Sequence, residues 1–314
     1  MMINFGILGA GKIAHRFMKG IQVSEYAEVS TIYVRNIEKG RPFIKQYQLD
    51  SCTDDLDAFL ANSSMDAVYI AQPNFLHYES ILKCLEAGKH VLCEKPMFID
   101  TKQAIHAFEV AQEHRCLLME AMKVCFLPTT MQAIKWINEG KIGKIKAMTA
   151  SFARASKIDE NHPIFVKEYG GGALFDVGCY AVALTNQILG EVNRVHYERV
   201  YTSSGVDETT ALLLSYKNDV CATIWASFTL DMDNEATIIG DKGIIRIKNF
   251  WKSHQATLLS ELGDETFNGE PISEFVYQIN HFCECIKQGI IVSPIMGRNE
   301  TLGILKILEG ASYE

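Results

Sequence analysis

Short apolar runs alternate with stretches of helical periodicity over the first 120 or so residues. The runs at 3–8, 29–34, 67–70, 90–93 and 117–119 are too short for helices and draw on Ile, Val and Leu, as strands covered on both faces do. Between them, apolar positions recur at helical spacing from about Lys12, Ile37, Asp55, His77 and Thr101. Before the last of these, Asp100 stands three residues ahead of Gln103, the spacing of an N-terminal capping box. Strand and helix in alternation predict βαβ units and a doubly wound parallel sheet.

The period changes after Glu120. A helical pattern from about Pro128 ends at Glu139-Gly140, and period-two alternation then runs from Lys144 to about Leu259. In 221–229, Ala222, Ile224, Ala226 and Phe228 alternate with Thr223, Trp225, Ser227 and Thr229, one set on each face of a strand. Gly240-Asp241-Lys242-Gly243 predicts the turn of a hairpin joining 236–239 to 244–247. Two further helical patterns follow Pro271 and Gly297. The expected division is therefore an α/β domain over 1–122 and, over 123–314, an α+β domain with a large, mostly antiparallel open sheet.

Composition supports two cores: 314 residues, 48% hydrophobic and 22% charged, suffice for two domains of ordinary size. A formal net charge of -8 opposes the basic surface that nucleic acid requires. The start of the chain lacks the charged and apolar segments of an export signal, and no uninterrupted apolar run approaches the ~18 residues of a bilayer span. A soluble, cytoplasmic chain with no membrane partner is expected. The nine cysteines are scattered through apolar contexts, as free thiols in a reducing compartment are. Cys283 and Cys285, two apart on a helix, face different directions, so no metal site is assigned.

Candidate chemistry begins where the first strand ends. Gly9-Ala10-Gly11-Lys12-Ile13-Ala14 fits G-x-G-x-x-G/A at a strand-to-helix junction. Gly9 permits the tight turn, Gly11 clears the approach of a pyrophosphate to the backbone, and Ala14 lets helix and strand pack closely. The helix that opens at Lys12 and Ile13 offers free N–H groups and the positive end of its dipole to phosphates. The sequence thus predicts a dinucleotide-binding Rossmann domain. Where an NAD site carries an acid at the end of the second strand, this chain has Arg35, with Lys39 and Arg41 behind it, which favours the 2′-phosphate of NADP over NAD.

Two more segments complete a pattern: Glu94-Lys95-Pro96 after the run at 90–93, and Gly170-Gly171-Gly172-Ala173-Leu174-Phe175-Asp176-Val177-Gly178-Cys179-Tyr180. With the glycine motif they make the chain resemble the Gfo/Idh/MocA oxidoreductase family over essentially its full length. Gln72-Pro73-Asn74-Phe75-Leu76-His77 is similar to that family's Pro-Asn-x-x-His segment beside the cofactor. Tyr180, where many members have His, and Met119-Glu120-Ala121 resemble the subgroup of dihydrodiol dehydrogenases, NADP-dependent xylose dehydrogenases and glucose-fructose oxidoreductase. The likeness fades at Lys123 and Cys125, where an aromatic residue and an arginine are usual.

The resemblance implies a homodimeric or homotetrameric NADP- or NAD-dependent dehydrogenase acting on CH-OH or CH-CH donors of a sugar, polyol or trans-diol. Its second domain would bind substrate and pair subunits through the open sheet, with Trp225 and Phe228 on opposite faces. Gln72, Pro73, Asn74, His77, Glu94 and Lys95 would join the glycine loop and Arg35 around the cofactor. Lys95, Asp176 and Tyr180 would form the catalytic set. A tyrosine with a pKa near ~10 needs a nearby ammonium to act as a base at neutral pH. Lys95, at the carboxyl end of a strand where doubly wound sheets bind ligands, is the expected source. Asp176, four residues before Tyr180, would share its helix face and orient a substrate hydroxyl. A non-catalytic redox sensor and a redox-neutral, NAD-dependent glycoside hydrolase remain the alternatives.

Overall fold

The computed structural model describes residues 2–155, 162–217 and 219–310. Its first sheet is built from β1 (Ile3–Leu8), β2 (Ala27–Tyr33), β3 (Ser51–Thr53), β4 (Ala67–Ile70), β5 (His90–Cys93) and β6 (Leu118–Glu120). Between them run α1 (Lys12–Ile21), α2 (Ile37–Tyr47), α3 (Leu56–Leu60), α4 (His77–Glu86) and α5 (Thr101–Glu113). All pairings are parallel, in the order β3-β2-β1-β4-β5-β6. The order reverses between β1 and β4, the point at which open α/β sheets bind ligands. Each residue of β4 is buried, as a strand sandwiched between helices must be. Asp100 caps α5 as expected, accepting from the Gln103 N–H at 2.9 Å.

The second sheet comprises β7 (Ile145–Ala153), β8 (Arg194–Tyr201), β9 (Asp207–Ser215), β10 (Cys221–Ser227), β11 (Glu235–Gly240), β12 (Gly243–Lys248), β13 (Gln255–Ser260) and β14 (Glu265–Asn268). It runs β14-β13-β12-β11-β7-β10-β9-β8 and is antiparallel except where β7 meets β10. Helices α6 (Pro128–Asn138) and α7 (Cys179–Leu189) precede or interrupt it, and α8 (Val276–Lys287) and α9 (Arg298–Glu309) close the chain. The six-stranded parallel sheet and the eight-stranded, mostly antiparallel one are the two layers that the periodicity predicts.

The single cut at 122 is corrected by the way the chain returns. One compact unit runs to Lys123 and takes in Ile272–Thr301; the other holds Val124–Pro271 and the chain from Leu302. Helix α8 thus belongs with the parallel sheet, where Gly20 of α1 leaves room for Phe275 and Ile279, and the Phe5 and Phe282 rings lie 5.6 Å apart. Periodicity places a helix but not its partner, and the apolar face of α8 fits against α1.

Alternation on β10 is as read, with Ala222, Ile224 and Ala226 buried and Trp225 39% exposed. Phe228 follows it onto the buried face. Rather than facing a partner subunit it is 5% exposed, in a cluster with Ala173 and Ala226 on which Ile164, Phe165 and Val177 pack. The stretch Lys167–Leu189, though interrupted by charged residues, is long and apolar enough by composition to cross a bilayer. The glycines at 170–172 interrupt it, and 61% of its most apolar window is buried inside the protein, as in a core helix.

Candidate active site

In the first unit the glycine motif sits at the switch point. Gly9, at φ +105°, turns the chain out of β1, and a Cβ there would press on the Ala71 carbonyl. At Gly11, the N-cap of α1, a Cβ would meet only open space. The protein does not itself need glycine there, so the room is left for something else, and a pyrophosphate fits it. No acidic residue occupies the first turn of α1, which keeps its N-terminus suited to an anion.

A cleft of about 540 Å³ opens at this point, lined by Gly9, Ala10, Gly11, Tyr33 to Asn36 and Lys39 on one side and by Ala71, Gln72, Pro73 and Leu76 on the other. Lys12 and Ile13 begin α1 at its edge. Arg35 and Lys39 bring two cations to the end of β2. Asn36 is engaged in capping α2 through the Glu38 N–H at 2.9 Å, and Arg41 pairs with Glu38 at 3.1 Å. A dinucleotide with phosphates at α1 and a charged ribose near Arg35 fits these residues.

Lys95 lies beyond β5, whose last residue Cys93 pairs with Ile70 of β4, itself paired with Leu8 of β1. The register brings the Lys95 loop and the glycine turn to the same end of the sheet. Glu94 is not open to a ligand: it is 6% exposed and accepts from the Tyr69 hydroxyl and, at 3.3 Å, from the Lys95 N–H. Burial raises its pKa against the opposing pull of Tyr69 and Lys95. The Tyr69 ring is stacked on Phe17 with centroids 3.7 Å apart.

His77 is likewise fully buried and is not among the residues that line the cleft. Its Nε2 stands 2.9 Å from the Gln72 carbonyl, and its Nδ1 stands 3.2 and 3.3 Å from the carbonyls of Pro96 and Met97. The ring can donate to both sides only as the imidazolium; burial pulls the pKa down while the three carbonyls raise it, and burial prevails. Asn74 opens the short 3-10 turn that leads into α4.

Two side chains to which the sequence reading gave no role complete this unit. Glu120, 2% exposed, accepts from the Met97 N–H at 3.0 Å, and burial raises its pKa to about 7. A lone acid ending the apolar run at 117–119 was its signal in the sequence. Lys123, also 2% exposed, pairs with Glu274 at 3.2 Å, and burial lowers its pKa to about 8. Arg16 reaches the same carboxylate. Burial opposes charge on Glu274, but Lys123 and Arg16 overcome it and hold the pKa below the ordinary value.

In the second unit Asp176 lies on a π-helical turn, Leu174–Gly178, which passes directly into α7 and Tyr180. Tyr180 is 8% exposed, its ring centroid 6.1 Å from that of Phe152, which stacks on Trp251 at 3.6 Å. The glycines ahead of them serve the chain's own packing. A Cβ on Gly171 would collide with the carbonyls of Ile164 and Val166, and Gly172, at φ +115°, lies against Asp207. Asp207 then accepts from the Leu174 N–H at 2.8 Å and the Thr210 hydroxyl at 2.7 Å, fixing the start of the turn. Cys125 contributes its carbonyl to the Gln187 side chain at 3.0 Å. Lys157, a basic residue near the glycines in sequence, falls outside the described residues.

Comparison with known proteins agrees with the fold. The profile described as an oxidoreductase family with an NAD-binding Rossmann fold matches residues 3–122, and that of the GFO/IDH/MocA C-terminal domain matches residues 130–246. The chain is 29% identical to scyllo-inositol 2-dehydrogenase (NADP(+)) IolU of Bacillus subtilis, over 99% of this chain and 96% of that one. It is 27% identical to trans-1,2-dihydrobenzene-1,2-diol dehydrogenase of Xenopus laevis, over 99% and 97%. Among solved structures it resembles KijD10, a 3-ketoreductase from Actinomadura kijaniata in complex with NADP and TDP-benzene, with a TM-score of 0.86 at 25% identity over 99% of this chain and 97% of that one.

Proposed function

The chain belongs to the Gfo/Idh/MocA family of NAD(P)-dependent oxidoreductases, and from that premise we propose that it prefers NADP and acts on a CH-OH group of a sugar, polyol or trans-diol. The observation that carries the cofactor preference is the cleft at the switch point, with Arg35 and Lys39 at the end of β2 and open space at Gly11. The names of an NADP-dependent inositol dehydrogenase and a dihydrodiol dehydrogenase among the relatives support the substrate class.

Bound nicotinamide supplies or accepts the hydride. In the oxidation direction, the Tyr180 Oη takes the proton of the substrate hydroxyl, and the Lys95 ammonium stabilises charge developing on that oxygen. Asp176 orients a neighbouring hydroxyl. In reduction the proton returns from Tyr180 to the carbonyl oxygen. The family resemblance and the exposed Leu213 and Trp225 of the second sheet support subunit pairing through that sheet's open face. Nine free cysteines suit a reducing cytoplasm.

Reduced-nicotinamide absorbance with a panel of aldoses, inositols and trans-diols tests the reading. Turnover is expected with NADP, falling by about 10²–10⁴ in Tyr180→Phe and by about 10²–10³ in Lys95→Ala, with cofactor binding retained. Arg35→Ala should weaken NADP by roughly tenfold to a hundredfold, the worth of one charge-assisted contact, and leave NAD unchanged. Cofactor binding without absorbance change on any substrate would shift the reading to a sensor or a redox-neutral hydrolase.

A further inference from the structure

The Lys95 loop is gripped at one residue from two elements. Met97, itself wholly buried, donates its N–H to Glu120 at the end of β6, at 3.0 Å, and turns its carbonyl to His77 at the start of α4, at 3.3 Å. The preceding carbonyl, of Pro96, faces the same His77 nitrogen at 3.2 Å. On its other side His77 reaches the Gln72 carbonyl at 2.9 Å, in the wall of the cleft. The Gln72 side chain is fixed in turn by the Ser80 hydroxyl at 2.7 Å. The wall of the cleft and the loop that carries Lys95 are therefore joined through one imidazole ring, and a backbone held at both ends of Met97 sets where the lysine stem begins.

We propose that His77 and Glu120 are positioning residues for Lys95, and that His77 couples occupancy of the cofactor cleft to the placement of the Lys95 ammonium. The proposal rests on the reading of the cleft as the cofactor site and of Lys95 as catalytic. Neither residue touches the reacting atoms. Their effect passes through Pro96 and Met97, and it matters because an error of an ångström in a catalytic group can cost on the order of a hundredfold in rate. Glu120 serves as an acceptor for an N–H, which an amide oxygen can replace. His77 faces carbonyls on both sides, at Gln72 and at Pro96 and Met97, and neither Asn nor Gln spans both.

The test reads Lys95 itself. Acylation of Lys95 is followed by peptide mass spectrometry in wild type, His77→Asn, His77→Leu, Glu120→Leu and Glu120→Gln. Each protein is labelled with and without adenosine 2′,5′-bisphosphate, which carries the 2′-phosphate and lacks nicotinamide. In wild type the nucleotide is expected to change the labelling rate by about fivefold or more, the lower end of ordinary coupling between sites. In the two His77 variants that response should vanish while the nucleotide still binds. Glu120→Leu should alter the labelling rate without ligand, and Glu120→Gln should restore it.

With an active substrate in hand, His77→Asn should lower kcat by roughly tenfold to a hundredfold with little change in the KM for NADP. Melting curves exclude variants that fail to fold, and the Asn and Gln forms remain if the leucines do. Identical Lys95 labelling across the folded proteins, with and without nucleotide, overturns the proposal. If wild type binds no nucleotide, the cofactor reading fails, and the unliganded comparison of wild type with Glu120→Leu and His77→Asn still decides the positioning role.

Discussion

At the scale of single residues, the first unit is unusual in how many ionisable groups it buries. Glu94, Glu120 and Lys123 are each at most 6% exposed, and burial moves each away from its ordinary pKa. Glu120 gives a clear prediction because its pKa in the folded chain, about 7, lies above its ordinary 4.5. Below that ordinary value both folded and unfolded chains hold the proton. As pH rises toward 7 the unfolded chain releases it first, so stability is lost across that window, by about 3 kcal/mol. Glu120→Gln keeps an acceptor for Met97 and removes the titration. Its melting temperature should exceed that of wild type at pH 8, and the advantage should shrink toward pH 4.5. The sequence showed Glu120 as a lone acid after an apolar run and as part of a segment resembling the family subgroup, but its burial depends on β6 lying beside β5.

Elements decide how the proposed catalytic residues are presented. The helical segment bearing Asp176 and Tyr180 starts from glycines packed on the chain's own carbonyls and from the cap supplied by Asp207. Asp207→Ala leaves the Leu174 N–H and the Thr210 hydroxyl without their buried acceptor, and the expected cost is about 2 kcal/mol, at the upper end for a lost cap. Chemical denaturation would measure it, and turnover should fall along with stability as the turn loosens. Asp207→Asn, which retains one acceptor oxygen, should recover much of both. The glycines at 170–172 stood out in the sequence as part of a motif, but the sequence did not say that the backbone of Ile164 and Val166 packs on Gly171. Those partners lie several residues upstream, in a turn whose path no periodicity reveals.

For the whole molecule, the open face of the second sheet is the surface with most to explain. Leu213 and Trp225 stay 43% and 39% exposed on neighbouring strands, opposite the buried Leu212, Leu214, Ala222 and Ile224 of the same two strands. If that face pairs subunits as proposed, Trp225→Lys should convert the assembly to monomer in light scattering after size-exclusion chromatography. An unchanged mass would place the interface elsewhere. The returning segment 272–301 bears on stability at this scale too, since it brings Glu274 to Lys123.

What the sequence determined by itself was everything carried by neighbours along the chain. Period-two and helical spacing located most of the parallel sheet, its helices and the strands β10 to β12, and Gly9, Gly11, Arg35 and Lys95 could be placed at strand ends because a motif and the strand before it are contiguous. Strands β3 and β14 escaped because three or four mostly exposed residues carry too little pattern. The tertiary structure alone decided which distant residues meet. His77, Met97 and Glu120 converge because β4, β5 and β6 are adjacent and parallel, Phe228 meets Ala173 and Phe165, and α8 returns to pack on α1. Such contacts depend on strand order and on the fit of one apolar face to another, and neither is encoded in any local window of the chain.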